Sequence, residues 1–405
     1  MECEDDWRKT MNQSLQVQFC GIQLENPCLL SSASPTQSKE GIAKAFKLGW
    51  AGAVTKTCIP DELITPDAPN RFAVLRNKDR EIMGFENLEG MTQKPVAYWE
   101  QAIHELKKEF PSKVVVASMM ADANLEAWRN LARRLEHAGA DAVELNLSCP
   151  HFRLADQMGA AVGKDEEKAA AIVACVKKEV KIPVLAKLTP NVSSIQDVAA
   201  AVVKAGADGI VAINTVQALL GVDIDTLEPL PAVNGYSAFG GYSGISVKPI
   251  SLRCVAQIAQ IADVPIHGVG GITAWQDVIE YMAVGASCVQ VCTAVMLNGY
   301  SIITPLLRGL EEYVQKKGLH SLQEIIGAAI PKLIAREQLN MNWDVRSTVV
   351  APEDCVQCAK CMVACQESGK AAINFVDQKV TVDLQRCDGC SLCTHVCPCG
   401  VLALR

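Results

Sequence analysis

Eight cysteines near the end of the chain fall into two runs of the same spacing. Cys355, Cys358, Cys361 and Cys365 make the first, and Cys387, Cys390, Cys393 and Cys397 the second. Both read C-x₂-C-x₂-C-x₃-C. Three thiolates two residues apart wrap one inorganic 4Fe–4S cube, and the fourth, one residue further on, starts a helix and points at the other cube. The ligand sets are therefore expected to cross. Cys355, Cys358 and Cys361 would share a cluster with Cys397, and Cys387, Cys390 and Cys393 with Cys365. A pair of zinc sites is the alternative, but zinc ribbons separate two C-x₂-C pairs by a longer stretch. Pro398 follows Cys397, whereas Gln366 stands after Cys365 where proline is common; Cys399 is a spare thiol beside the second run.

Paired clusters pass single electrons, so the rest of the chain is expected to hold a group that turns them into two-electron chemistry, and a flavin does so. Two lysines close apolar runs, Lys56 in "AVTKTC" and Lys187 in "VLAKLTPN". A charge there needs an anion. Either a reduced flavin, negative near N1, or a neighbouring carboxylate would serve. Asn87, Asn146 and Asn214 each offer one acceptor and two donors, matching the alternating C=O and N–H edge of an amide-like ring; any one alone braces a loop as readily. Gly270 and Gly271 in "HGVGGIT", with Thr293 in "VQVCTAV", suit a phosphate. No G-x-G-x-x-G is present, so NAD is expected to bind elsewhere. Cys149, in "ELNLSCPH", is open to four roles on its local sequence: packing, metal ligation, nucleophilic attack or proton delivery.

The elements that must position these residues alternate. Short apolar runs at 28–33, 53–56, 114–118, 142–147, 183–188, 209–214, 265–268 and 288–291 are separated mostly by stretches of helical period, such as "SIQDVAAAVVKAGA". Alternating strand and helix predicts a parallel sheet, and eight units fit a (β/α)₈ TIM barrel better than an open doubly wound sheet. Insertions at 58–90 and 216–248 follow strands 2 and 6, on the face where barrel enzymes build their sites. The expected division is a barrel over 1–320, a linker or strap over 321–350, and a ferredoxin-like α+β domain with two clusters over 351–405.

The chain has 405 residues, is 49% hydrophobic and carries a net charge of −7 without a basic block, which argues against nucleic acid as a partner. Nine of the 18 cysteines lie between 355 and 399. With no apolar leader in "MECEDDWRKT" and no long apolar run, the expectation is a reduced, cytoplasmic protein with no membrane span.

Taken together, "NLSCPH", "AKLTPN", "INTV", "GGYSG", "GVGGI" and the twin cysteine runs resemble dihydropyrimidine dehydrogenase. The likeness is to the FMN and iron–sulfur catalytic subunit of its bacterial two-subunit form, from about residue 17 to the end. Several motifs are shared with dihydroorotate dehydrogenases, which generally lack this cysteine tail in the same chain. The resemblance implies FMN in the barrel mouth and reversible reduction of uracil or thymine to the 5,6-dihydro base. It places Ala33, Lys56, Asn87, Asn146, Lys187, Thr215, Gly244, Gly271 and Thr293, beside Gly270, around FMN or substrate. Asn87, Asn146, Asn214 and Thr215 would read the pyrimidine edge, and Ser148 would help position the reacting group. It also implies a partner subunit holding FAD, further clusters and the NAD(H) site, in a hetero-oligomer such as a heterotetramer.

For Cys149 the resemblance selects proton delivery. Hydride would arrive at C6 of the pyrimidine and a proton at C5 from the opposite face. A thiol, with a reference pKa of about 8.5, can give that proton and regain it. No leaving group is implied for a nucleophile, and His151 is the lone candidate metal partner nearby; a surface position for His151 is favoured over a relay. The segment "PHFRLADQMGAAVGK" departs from the glycine-rich form of the family, which bears on substrate range and loop closure. Two other readings stand beside this one. The first is a related flavoenzyme oxidising dihydroorotate or reducing another conjugated substrate. The second is an electron-transfer module with no substrate of its own.

Overall fold

The computed structural model describes residues 14–64, 70–148, 159–341 and 344–405. The chain forms two compact units, Met1–Leu333 and Ile334–Arg405. In the first, eight parallel strands close into a barrel: β1 Cys28–Leu30, β2 Gly52–Val54, β3 Val114–Met119, β4 Ala142–Asn146, β5 Val184–Lys187, β6 Gly209–Ala212, β7 Ile266–Val269 and β8 Ala286–Val291. Every strand residue is buried, as expected where helices cover a sheet from outside. Two expected strands begin on proline, Pro183 and Pro265, and the observed ones start one residue later. Proline lacks the ladder N–H, yet its carbonyl still serves: Val143 N–H donates to Pro183 and Ile210 N–H to Pro265, both at 3.0 Å.

Eight helices form the outer ring: α1 Lys39–Lys47, α2 Val96–Glu109, α3 Leu125–His137, α4 Glu166–Lys177, α5 Ile195–Lys204, α6 Lys248–Ala259, α7 Trp275–Ala283 and α8 Ile303–Lys317. Side chains at several starts hold amides that have no helical partner. Ser38 accepts from Gly41, Asn124 from Glu126, Asp165 from Lys168 and Ser194 from Asp197. Trp99 and Trp128, from α2 and α3, are fully buried against the barrel.

The amino-terminal end of the barrel is stitched by a repeated device. Asp141, just before β4, accepts from Val115 N at 2.8 Å and from Lys107 Nζ of α2. Asp208, just before β6, accepts from Val184 N at 2.8 Å and from Lys177 Nζ of α4. Each aspartate so locks its strand to the preceding strand and to a helix. A hairpin, Val17–Phe19 with Ile22–Leu24, covers this end; its Cys20 sulfur lies 3.2 Å from the Asp208 carbonyl.

The two insertions join each other. Arg71–Arg76 and Ile82–Leu88 from the first pair with Gly240–Ser243 and Val216–Ala218 from the second in one four-stranded antiparallel sheet. Residues 321–350 carry single 3₁₀ turns at Leu322–Ile325, Ile330–Lys332 and Arg336–Gln338, then the strand Ser347–Val349. Gly327 and Ala329 donate to the carbonyls of Met282 and Ala283 at the end of α7.

In the second unit Ser347–Val349 pairs with Leu402–Leu404, and Ile373–Val376 with Lys379–Val382. Two helices, Lys360–Glu367 and Leu392–Val396, open beside the third cysteine of each run, Cys361 and Cys393; the fourth does not start a helix as expected, Cys365 lying late in the first and Cys397 just past the second. The architecture is a TIM barrel followed by a ferredoxin-like α+β domain. Among the described residues no helix is long and apolar enough to cross a membrane. Replacing Asp141 with Ala leaves the Val115 amide without its acceptor and the Lys107 ammonium with the Lys113 carbonyl but no carboxylate. The expected loss is about 2 kcal/mol of unfolding free energy, read from the urea midpoint, since hydrogen bonds to charged groups contribute about 1.5–3 kcal/mol.

Candidate active site

The carboxyl-terminal ends of the strands surround a cavity of about 520 Å³, within the usual size range of cofactor pockets. Ala33, Lys56, Asn87, Asn146, Lys187, Asn214, Thr215, Gly244, Gly270, Gly271 and Thr293 all line it. Ser148 lies just beneath, fully buried. Cys149 and His151 lie outside the described residues.

The asparagines are held by a chain of hydrogen bonds. Asn146 Nδ2 donates to Thr57 Oγ1 at 3.0 Å, and its Oδ1 accepts from Ser148 Oγ at 3.0 Å. Ser148 Oγ in turn accepts from Asn214 Nδ2 at 2.9 Å, and Asn214 Oδ1 accepts from Thr215 N at 2.8 Å. Each of these two amide nitrogens has a second hydrogen for a ligand. Asn87 reaches the same mouth through the insertion sheet: it sits opposite Gly241 in the ladder, and its Nδ2 donates to Gly241 O at 2.8 Å. Ser148 thus braces two asparagines, a role the octet alone did not reveal.

Both lysines have carboxylate partners within the fold. Lys56 Nζ lies 2.7 Å from Glu89 Oε1, which also accepts from Ser34 Oγ and Asn70 Nδ2. Lys187 Nζ lies 3.3 Å from Glu144 Oε1. Each lysine thus has a neighbouring carboxylate, and both also line the cavity, where an anionic ring could meet them. Sequence reasoning missed these acids, along with Thr57, Ser243 and Gln290. Glu144 had a signal, a charged residue within an apolar run. Glu89 had none, because the fold brings it to Lys56 from across the first insertion.

At one end of the cavity Gly244, Gly270 and Gly271 have φ of 96°, 137° and 69°, values that favour glycine. A Cβ on Gly271 would stand 2.8 Å from Lys248 Cβ and 2.9 Å from Gly244 O. Ser243 and Thr293 hydroxyls meet at 2.8 Å beside this cradle. A glycine turn and two hydroxyls lining the cavity, with no acidic side chain among them, suit a phosphate, so the residues fit the group a flavin mononucleotide would present. Cys292 also lines the cavity, but burial pushes its thiol up to about 12, so it stays protonated.

In the carboxyl-terminal unit the cysteines gather as two rings. Cys355, Cys358, Cys361 and Cys397 line one small cavity, with Cys399 beside them. Cys365, Cys387, Cys390 and Cys393 line another. Each cavity brings together one of the two crossed sets of four thiols expected from the spacing. Gln366 is explained by helix length. The helix runs on through Glu367 after Cys365, whereas the second ends at Val396, just before Cys397 and Pro398.

The dihydroorotate dehydrogenase family model matches residues 14–314, and the 4Fe-4S dicluster domain model matches 348–404. The chain is 37% identical over 403 residues to the NAD-dependent dihydropyrimidine dehydrogenase subunit PreA of Escherichia coli, covering 97% of this chain and 96% of that one. It is 34% identical to the chloroplastic dihydropyrimidine dehydrogenase (NADP(+)) of Arabidopsis thaliana, over 78% and 77% of the two chains. It is 39% identical to the catalytic subunit of dihydroorotate dehydrogenase B (NAD(+)) of Pyrococcus furiosus, over 78% of this chain and 99% of that one. The crossed rings give a direct check. Cys397→Ala is expected to halve the iron bound per chain and leave the Cys387 run loaded; Cys365→Ala should do the converse, read by iron content and visible absorption. By sequence and by structure the chain is an oxidoreductase of the dihydroorotate dehydrogenase family, with a 4Fe-4S dicluster domain at its carboxyl end.

Proposed function

We propose that this chain is the catalytic subunit of a cytoplasmic dihydropyrimidine dehydrogenase, reducing uracil or thymine reversibly to the 5,6-dihydro base. The observation that carries the reading is the chain Thr57–Asn146–Ser148–Asn214–Thr215 at the cavity. It fixes two amides where they can meet the C=O and N–H edge of a cyclic imide. The barrel over 1–320 would bind FMN and substrate, and 351–405 would carry the two 4Fe–4S clusters, joined by 321–350. A relative's name, which gives a subunit of an NAD-dependent enzyme, supports a partner subunit that supplies NAD(H), and that partner would also hold FAD.

FMN, when bound, supplies two-electron chemistry and the clusters supply single electrons. Gly244, Gly270, Gly271 and Thr293 would hold the phosphate end; Lys56, Lys187 and Ala33 would face the ring. This chain's own residues do the rest. Asn87, Asn146, Asn214 and Thr215 orient the base, with Ser148 fixing the amides. Cys149, the residue after Ser148, holds the proton for C5 and takes it back in the oxidative direction. Its reference pKa of about 8.5 lets it do both near neutral pH.

The dihydroorotate reading is weaker for a stated reason. Among the described residues lining the cavity, the cations are Lys56 and Lys187, and each already faces a carboxylate. A substrate carboxylate would find no uncompensated charge there. The test is anaerobic: reduce the purified protein, then add uracil, thymine or orotate separately and follow the flavin spectrum. Reoxidation by uracil or thymine is expected; reoxidation by orotate alone would install the other reading. Cys149→Ala is expected to lower turnover at least about 100-fold, the usual scale of general acid loss, with flavin still bound and reducible. Unchanged turnover would remove Cys149 from the mechanism.

A further inference from the structure

Below the cavity the barrel interior is polar. Glu144 on β4, Lys187 on β5, His267 on β7 and Gln290 on β8 are each at most 4% exposed. Gln290 Nε2 donates to Glu144 Oε2 at 2.9 Å and lies 3.2 Å from His267 Nδ1. The carboxylate selects that amide orientation, because the flipped one sets two oxygens against each other. The second amide hydrogen then goes to Nδ1, which must be an acceptor, so the imidazole is neutral with its proton on Nε2. Burial, helped by the charge of Lys187, pushes His267 down to about 3, and it stays neutral at working pH. Compensation of Glu144 therefore falls to Lys187.

That compensation is loose. Lys187 Nζ lies 3.3 Å from Glu144 Oε1, yet Oε1 accepts no hydrogen bond. The ammonium's other contact is Ser31 Oγ at 3.4 Å. Lys187 is held to Glu144 by charge without a directed bond, and its hydrogen bond to Ser31 is long, at the wall of the cavity.

We propose that Glu144 is a positioning residue that holds Lys187 at the cavity wall and sets how strongly it favours negative charge arriving there. The inference rests on the flavin reading above. With Glu144 ionised, the field of Lys187 in the cavity is partly cancelled; without it, a full positive charge faces the cofactor in a low-dielectric site. Gln290 moderates the carboxylate by donating to its other oxygen. Reduction of the bound cofactor is therefore tuned by a three-residue balance that touches it through Lys187.

The measurement is the midpoint potential of the bound flavin in the holoprotein, by anaerobic dye titration. Glu144→Gln keeps shape and removes charge. It is expected to raise the potential by about 30 mV or more, a tenfold gain for the reduced form of a two-electron couple. Lys187→Met is expected to lower it by a similar factor. Gln290→Met, which leaves Glu144 leaning on Lys187 alone, is expected to lower it too. A purely structural role moves Glu144 and Lys187 variants the same way, and that result, or an unmoved Glu144→Gln, overturns the proposal. If Glu144→Gln fails to fold, Gln290→Met decides: an unchanged or raised potential overturns it. Wild-type protein that holds no flavin sinks the flavin reading itself, and this inference with it.

Discussion

The ladder that sets Asn87 opposite Gly241 ties the loop after β2 to the loop after β6, and the roof of the cavity depends on that register. Shifting it by one residue would turn Asn87 to the other face of the sheet, because strand side chains alternate. Small residues permit the close approach. A Cβ on Gly241 would lie 2.4 Å from Thr215 Oγ1, and one on Gly240 would lie 2.5 Å from Glu86 Oε1. Glu86, fully buried, accepts from Gly240 N at 3.1 Å, so a carboxylate anchors the same junction from below. One pairing thus connects Asn87, proposed to read the ring, with the Gly244 turn a few residues on.

Much of the architecture was legible because its signals are local. Eight apolar runs separated by helical periods predict the barrel, and the two cysteine runs predict crossed ligand sets, which the rings at Cys397 and Cys365 match in arrangement. Glycines 270 and 271 announced a close backbone approach. What escaped was everything set by pairing across long separations. The two insertions read as separate loops, and nothing in either one names the other as its sheet partner. Glu89 was invisible as a lysine partner for the same reason, and Glu144 showed only as a charge inside an apolar run, its partner unnamed: distance in sequence hides distance in space. Five strands end before their apolar runs do, as β1 does at Leu30 and β2 at Val54, leaving residues such as Ala33 and Lys56 to line the cavity.

The charge pattern of the mouth explains how a barrel tolerates two lysines near its core. Isolated, each would face a desolvation cost of several kcal/mol. Paired with Glu89 and Glu144, they leave the cavity close to neutral before any ligand arrives. Such a surface fits the proposed recognition of an uncharged, planar ring by amide dipoles.

The matched stitches at Asp141 and Asp208 sit at the opposite end of the cylinder from the asparagines and glycines. Rigidity is anchored at the floor, while the residues proposed to set selectivity sit at the strand ends and in the loops above. Substitutions in the roof can retune ligand choice without loosening the frame, so descendants of this chain have room to explore new chemistry on an unchanged foundation.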